Sequence, residues 1–402
     1  MLRFKQFLTE GGGYGHLANF YELNYSFKDI KDFINDALTG KLERVKLKTD
    51  GANLLFTVIN GRVRVARSPK HLKNYGQESL TVNELATKFS GRGIGDAYVQ
   101  AVNDLQTTFT GVSQDKIDKM FKNGKKFMSV EVMHTEAENL ISYGSNQLRF
   151  HGTKEYGIDG KPIGEDNQSD GDILAKWIEN SPVRPNTYDI QPLQAVKLEP
   201  LPDLDKQKKD LLNMVKNVQK QFKLKDNDNL NDYRIAFMRN VLKKNGIEDE
   251  RLARRWGISD KSVNIKMIKK DYSGKNLKFI ESFEKNLKEH VKEMMLDIEV
   301  IILRLGANIL KNLKQFMVLN PDKTVQKLRA NYVKTLKDIE NTKNPEALKK
   351  LSHELKRLEG AGGIDKIAGE EGITFFWKNQ FMKLTGTFAP LNIMNNIMGT
   401  FK

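Results

Sequence analysis

A long tract of helical periodicity, enclosed by segments of β type, most constrains what this chain can fold into. Between Lys206 and Leu358 apolar residues recur at three- and four-residue intervals, most clearly from Phe283 to Leu313. The segments before and after this tract alternate apolar and polar residues, as strands do. The sequence therefore predicts an α+β fold of antiparallel sheets with helices, interrupted by a long α-helical insertion.

Shifts in composition indicate the boundaries of these parts. Six of the ten prolines lie between Gly157 and Pro202, which predicts extended connections at a boundary. The predicted divisions are an N-terminal leader and loop (1–25), the first part of a β-containing domain (26–156), a linker (157–205), a basic helical insertion (206–359) and the final part of the β-containing domain (360–402).

Two local patterns are specific enough to place elements within the first β-containing part. Ser26 followed by Asp29 predicts the capped start of a helix. Asn60-Gly61, flanked by alternating apolar residues, predicts a tight hairpin and so makes its surroundings a strand region.

Positive charge is concentrated in the helical insertion. The chain has a formal net charge of +15, and residues 201–360 hold 36 Lys and Arg against 23 Asp and Glu, an excess of 13. Such an excess favours contact with phosphate backbones, which predicts nucleic acid as a partner of the insertion. A solvated helical bundle with spare lysines accounts for the same charge equally well.

Composition excludes several other classes of protein. There is no cysteine, so disulfides and thiolate metal sites are excluded and a reducing intracellular setting is expected. No apolar run is long enough to span a bilayer, and the first ten residues lack the apolar core of a signal peptide. The sequence therefore predicts that no membrane is involved.

Lys48-Thr49-Asp50-Gly51, between one predicted strand and the next, is the strongest chemical signal. A lysine forms a phosphoramidate with a nucleoside triphosphate only when its amine is unprotonated, which requires burial or nearby cations that lower its pKa. A strand end holds the amine rigidly, and Gly51 lets the backbone approach a nucleotide closely. Taken alone, the same residues also fit a simple tight turn before a strand.

Residues 43–67 resemble the first motif of the covalent nucleotidyltransferases, which include ATP-dependent DNA ligases, RNA ligases and mRNA-capping enzymes. The resemblance implies that Lys48 is the nucleophile and that Asp50 and Gly51 complete the nucleotide-binding motif. It also implies that Arg67, which follows the hairpin, contacts the nucleotide ribose.

Two stretches before the insertion extend this resemblance. Phe127–Val132 is similar to the third motif, in which Glu131 would hold a ribose hydroxyl. Gln147–His151 resembles the corresponding stretch of phage T4-type RNA ligases, where an aromatic residue stacks on the adenine, and this implies that role for Phe150. Those enzymes usually continue with aspartate, where this chain has His151.

Two motifs after the insertion complete the resemblance. Glu371-Gly372-Ile373-Thr374-Phe375 is similar to the fourth motif, which implies that Glu371, together with Glu131, holds a divalent cation. Phe381-Met382-Lys383 is similar to the fifth motif, which implies that Lys383 contacts the α-phosphate. The first lysine of that motif is missing, and Lys378 is the nearby lysine that could bind the nucleotide instead. The implied cofactors are ATP and Mg²⁺.

The resemblance implies an ATP-dependent nucleic-acid ligase with a covalent lysyl-AMP intermediate, with RNA favoured over DNA. Only nineteen residues follow Lys383, too few for the OB-fold of DNA ligases and capping enzymes, which favours an RNA-ligase arrangement. The alternative is a phage virion or nucleic-acid-binding protein that keeps the nucleotidyltransferase fold without the chemistry. A third alternative is transfer of a nucleotide from GTP to a protein or a cap.

The first ten residues resemble the leaders of T4-type phage internal proteins, which are cut after a glutamate such as Glu10. This resemblance implies a tailed-phage protein located in the cytoplasm of the infected host cell or packaged in the virion. An ordinary amphipathic N-terminal helix is the alternative.

Overall fold

The computed structural model describes residues 17–258, 269–341 and 344–401, and it has the α+β class that the sequence predicts. Helices account for 54% of the described residues and strands for 17%, and the strands form two mainly antiparallel sheets. The leader predicted at residues 1–10 lies outside the described residues. Within the described ranges, no helix is both long and apolar enough to cross a membrane.

The first sheet joins the two ends of the chain. Its strands have the order β1-β10-β9-β2. They are β1 (Ala18–Asn19), β2 (Glu43–Lys48), β9 (Gly372–Trp377) and β10 (Gln380–Thr385). Lys48 at the end of β2 lies opposite Gly372 at the start of β9, so strand pairing brings together two motifs that are more than 300 residues apart.

The second sheet is built from the middle of the β-containing region. Its order is β4-β3-β5-β6-β7, and β8 pairs with the first half of β6. The strands are β3 (Ala52–Ile59), β4 (Arg62–Ala66), β5 (Lys126–Met133), β6 (Gln147–Tyr156), β7 (Pro162–Asn167) and β8 (Asp189–Pro192). The predicted hairpin is confirmed as β3 and β4, and Asn60 and Gly61 both have the positive φ that a type I′ turn requires.

Helices pack around the two sheets. The first five are α1 (Phe27–Leu38), α2 (Val82–Phe89), α3 (Gly93–Phe109), α4 (Gln114–Phe121) and α5 (Ser169–Glu179). The insertion contributes α6 (Leu204–Phe222), α7 (Leu230–Lys244), α8 (Glu250–Ile258), α9 (Gly274–Lys285), α10 (Leu287–Lys311), α11 (Pro321–Asn341) and α12 (Pro345–Gly360), and α13 (Phe388–Phe401) follows β10. The predicted cap of α1 is confirmed, since Asp29 N donates to Ser26 Oγ at 3.1 Å and Ser26 N donates to Asp29 Oδ2 at 3.0 Å.

The stretch 157–205, predicted as a linker, contributes two strands of the second sheet and a helix that packs on it. Both β7 and β8 pair with β6, and α5 packs against β6 and β8. Two of the six prolines that suggested a linker stand at strand ends: Pro162 begins β7 and Pro192 ends β8. On edge strands these are the positions where a missing N–H is tolerated.

The segment after β8 ties the two sheets together along one edge. Leu47 N of β2 donates to the Gln194 carbonyl at 2.9 Å, so the chain leaves the second sheet and at once pairs with the first. Beside this contact, Lys46 Nζ of β2 is 2.7 Å from Asp172 Oδ1 of α5.

The helical insertion shares its core with the first sheet. Buried side chains of α10, such as Ile301, belong to the same apolar cluster as Ile373 of β9 and Leu384 of β10. A Cβ added to Gly306 of α10 would overlap the Thr385 carbonyl oxygen at the end of β10, so helix and strand meet at backbone distance. The insertion is therefore integral to the fold.

The second half of the insertion supports a loop of the second sheet. Side chains from α11, α12 and α13, such as Leu328, Leu351 and Leu391, form an apolar cluster with Leu140 and Ile141 of the loop between β5 and β6. This loop also reaches the turn that carries Lys48.

Candidate active site

A polar cleft lies where the inner faces of the two sheets meet. Along the first sheet, Leu47, Ile373 and Leu384 face the apolar core. Because successive side chains on a strand point to opposite faces, the residues next to them face inward. These inward residues are polar: Lys46, Lys48, Thr374 and Lys383. Polar side chains at buried strand positions indicate that the cleft is built to hold charged or hydrogen-bonding groups.

Lys48 forms an ion pair at the centre of the cleft, with its Nζ 2.6 Å from Glu371 Oε1. Only 18% of the Lys48 side chain and 12% of the Glu371 side chain are exposed. Burial lowers the pKa of Lys48, but the charges of Glu371 and Glu131 outweigh it and raise that pKa above its ordinary value. The lowered pKa expected for the nucleophile is thus absent from this arrangement, in which Lys48 is an ammonium ion.

Lys383 has the lowered pKa instead. Burial and then repulsion from Lys48 reduce the pKa of Lys383 to about 8. Lys383 lies on β10 opposite Thr374, and Glu371 interacts electrostatically with both lysines. The cleft therefore contains two buried amines whose pKa values are shifted in opposite directions.

Glu131 of β5 is the acidic residue that the second sheet contributes. Its Oε1 accepts a hydrogen bond from Gly51 N at 3.2 Å, and its Oε2 lies 3.0 Å from His151 Nε2. Although burial raises the pKa of Glu131, the His151 hydrogen bond and the charge of Lys48 lower it overall. A Cβ at Gly51 would lie 2.7 Å from Glu131 Cγ, so the packing of this glutamate itself requires glycine in the motif.

Asp50 fixes the turn that carries Lys48. Its carboxylate accepts hydrogen bonds from Asn139 Nδ2 at 2.6 Å and from the backbone N–H groups of Leu140 and Ile141, each at 2.8 Å. Its own N–H donates to the Tyr143 hydroxyl at 2.8 Å. Burial and the charge of Glu371 raise the pKa of Asp50 to about 7. These contacts give Asp50 a structural role, and the nucleotide contact that the motif implies stays a prediction.

Arg67 lies on the exposed rim just after β4. Its guanidinium donates to the Asn53 carbonyl and lies over the Tyr98 ring, 5.1 Å from the centroid. Burial raises the pKa of Tyr98, while Arg67 lowers it and Glu131 raises it, so this ring stands near both charges. The ribose contact predicted for Arg67 remains a prediction, and it is compatible with this position.

The prediction that Phe150 stacks on a base is wrong. Phe150 is completely buried on the helix-covered face of the second sheet, where its ring lies 5.8 Å from that of Phe56. The neighbouring residue His151 reaches Glu131 instead. A shift of one residue along a strand moves a side chain to the other face, which is why the resemblance selected the wrong residue.

The nucleotide contact predicted for Lys378 is also wrong. Lys378 occupies the turn between β9 and β10, where its side chain is 49% exposed and pairs with Asp29 of α1. The site end of β9 is Gly372, six residues away, which corresponds to about 20 Å along a strand. Lys383 is therefore the lysine that this hairpin brings to the cleft.

Three further buried polar residues adjoin those of the cleft, and the sequence patterns do not single them out. Thr49 and Thr374 have buried hydroxyls without a hydrogen-bond partner. Glu370, next to Glu371, is fully buried and accepts hydrogen bonds from Met317 N at 2.6 Å and Val318 N at 3.2 Å. For Thr374 the sequence signal is a polar residue at an inward position of an otherwise apolar strand, whereas Thr49 and Glu370 lie outside the strands and are marked only by their neighbours Lys48 and Glu371.

The divalent cation implied by the resemblance can be tested against the residues present. The described part of the chain contains no group of three or more His, Asp or Glu side chains suited to a metal ion. Glu131 and Glu371 both lie beside Lys48. Mg²⁺ in nucleotide sites commonly uses one or two carboxylates together with substrate phosphates, so this pair fits a cation that arrives with a nucleotide.

Comparison of the chain with protein-family models, with curated proteins and with solved structures gave no match.

Proposed function

We propose that this chain has a nucleotidyltransferase fold and acts as an ATP-dependent, RNA-ligase-like enzyme through a covalent lysyl-AMP intermediate. The observation that carries the proposal is the convergence of Lys48, Glu131, Glu371 and Lys383 on one buried polar cleft. Lys48, Glu131 and Lys383 come from three strands of two sheets, and Glu371 directly precedes a fourth, β9. A triphosphate supplies the negative charge that two buried lysines and two unpartnered hydroxyls can accept.

The residues of the cleft divide the chemistry between them. Lys48 Nζ forms a bond to the α-phosphorus while the bond from that phosphorus to the pyrophosphate oxygen breaks. Lys48 begins as an ammonium ion, so it passes one proton to Glu371, 2.6 Å away, and the second leaves with the pyrophosphate. Protonated Lys383 offsets the charge that develops on the phosphoryl oxygens.

Mg²⁺ would be held by Glu131 and, while it is ionised, by Glu371, and it would neutralise charge on the triphosphate. Arg67 and His151 remain at the border of the cleft, where they can orient the ribose and the base. The AMP is then transferred to an acceptor, for which the basic insertion makes nucleic acid the leading candidate.

The proposal is tested by incubating the protein with ATP labelled at the α-phosphate and with Mg²⁺, followed by denaturing electrophoresis. The wild type should retain label, and Lys48→Ala should retain none because the attacking amine is gone. Lys378→Ala is the matched control. It removes a lysine of the first sheet that lies in the turn between β9 and β10, outside the cleft, and this variant should be labelled normally. A parallel incubation with labelled GTP distinguishes the base. Absence of label on the wild type with either nucleotide would refute the proposal.

Specific observations also favour the second candidate, a nucleic-acid-binding protein that keeps the cleft without the chemistry. Lys48 is held as an ammonium ion, and two of the residues expected to bind the nucleotide, Phe150 and Lys378, lie elsewhere. This candidate predicts that a 12-nucleotide RNA binds with an affinity that falls steeply between 50 and 200 mM salt, by about tenfold or more, while no nucleotide labels the protein.

A further inference from the structure

We propose that Glu370 is a positioning residue through which the helical insertion controls the geometry of Lys48. The inference rests on the proposed function, because it concerns how the cleft is held for nucleotide transfer. It adds a role for the insertion beyond holding nucleic acid.

The first line of evidence is the junction between α10 and α11. This junction lies over the chain just before β9, where Glu370 Oε1 accepts hydrogen bonds from Met317 N and Val318 N. A Cβ on Gly369 would be 3.1 Å from Pro321, the first residue of α11, so the two segments are in tight contact. Since Glu370 is followed directly by Glu371, the junction sets the direction in which the partner of Lys48 points.

A second contact leads from the same junction to the other side of Lys48. The Val318 side chain is buried in one cluster with Tyr143. The Tyr143 hydroxyl accepts the hydrogen bond from Asp50 N, two residues after Lys48. Close by, Lys327 of α11 lies 3.8 Å from Glu138 of the same loop. The insertion thus supports both Glu371 and the turn around Asp50 that follows Lys48.

The burial of Glu370 argues that these contacts are specific. Its side chain is completely inaccessible, and Oε2 has no hydrogen-bond partner. A buried carboxylate with an unmet oxygen is costly, so a role confined to filling space is better served by an apolar side chain. The length of the side chain, which reaches two backbone amides at once, is the property that the site uses.

The test separates length from charge. Glu370→Asp keeps the charge but withdraws the carboxylate from both amides, whereas Glu370→Gln keeps the length and an oxygen that accepts from both. We expect Glu370→Asp to lower the maximal rate of Lys48 labelling by about tenfold or more, since small misplacements of reacting groups are costly. The KM for ATP should stay within about threefold, and Glu370→Gln should label at close to the wild-type rate.

Glu354→Asp is the matched control, because Glu354 is a buried glutamate of α12 that pairs with Arg357 inside the insertion. It should label normally. The proposal is overturned if Glu370→Asp labels like wild type, if Glu370→Gln is as slow as Glu370→Asp, or if Glu354→Asp is equally slow.

Amide hydrogen exchange decides the proposal without catalysis. Exchange in residues 46–52 should be faster in Glu370→Asp than in Glu370→Gln and Glu354→Asp, and equal rates in all three contradict it. If the wild type takes no label but exchange is still faster in Glu370→Asp than in the other two variants, the enzymatic function is refuted and the positioning role of Glu370 is kept.

Discussion

At the scale of single residues, the main feature of the cleft is that its two buried lysines have pKa values shifted in opposite directions. Glu371 keeps Lys48 protonated, while burial and Lys48 bring the pKa of Lys383 down to about 8. The first proton that Lys48 gives up passes to Glu371 and the second leaves with the pyrophosphate, so neither is exchanged with the solvent during the step. A loss of activity as pH rises through about 8 should therefore come from Lys383, whereas Asp50 titrates lower, at about 7.

The first prediction follows from the lowered pKa of Lys383. The value of kcat/KM for lysine labelling should fall as pH rises through about 8, because Lys383 loses the charge that stabilises the phosphoryl oxygens. In Lys383→Arg the guanidinium stays protonated, so the fall at this pH should disappear even if the rate is lower throughout. The measurement is initial labelling rate from pH 6 to 9.5. An unchanged pH profile in Lys383→Arg would exclude Lys383 as its source.

A second prediction separates neighbouring residues of β6. Phe150→Ala should reduce the free energy of unfolding by about 3–5 kcal/mol, because it leaves a cavity beside Phe56. His151→Ala should change stability much less and should slow labelling, because Glu131 loses a hydrogen-bond partner. Urea denaturation and labelling of both variants decide this. A strong labelling defect in a stably folded Phe150→Ala protein would restore the stacking role to Phe150.

Local chemistry made some elements predictable, and others depended on distant partners. The capped start of α1 and the Asn60-Gly61 hairpin are set within a few residues, so the sequence predicts them correctly. β7 and β8 are strands only because the edge of β6 is free to receive them, and nothing in 157–205 indicates that edge. Similarly, the helical run from Phe283 to Leu313 gives no sign of the break at Asn286 between α9 and α10.

The candidate site shows the same limit. Motif order selected Lys48, Glu131, Glu371 and Lys383, which the strands do bring together. It misassigned Phe150 because strand alternation turns a one-residue error into the opposite face. It could not select Glu370, since the partners of that residue are backbone amides of a junction more than 50 residues earlier.

The contact between α10 and β10 yields a prediction at the scale of elements. Gly306→Ala should destabilise the protein by about 1–3 kcal/mol, because the new methyl group would overlap the Thr385 carbonyl. Gly399→Ala in α13 is the control: a Cβ there meets nothing within 4 Å, so better helix propensity should leave stability equal or raised by up to about 1 kcal/mol. Equal unfolding midpoints in urea for the two variants would contradict the close approach.

For the whole molecule, the insertion behaves as part of one body with the sheets. Removing 206–359 and joining the ends by a flexible linker should abolish cooperative unfolding, since α10 supplies side chains to the core of the first sheet. Each fully buried aliphatic side chain contributes about 1.5–3 kcal/mol, and a domain has only about 5–15 kcal/mol in total. Near-UV circular dichroism during a urea titration provides the measurement. A sharp transition in the shortened protein would show that the insertion is dispensable for folding.

The segment after β8 is hydrogen-bonded to β2, and this contact closes one edge of the cleft to a substrate. Along that edge the two sheets are held together by backbone hydrogen bonds, and the ion pair between Lys46 and Asp172 lies beside them. The opposite edge of the second sheet is β4, which Arg67 follows. If the proposed function holds, we expect a polymer end to approach the cleft past Arg67.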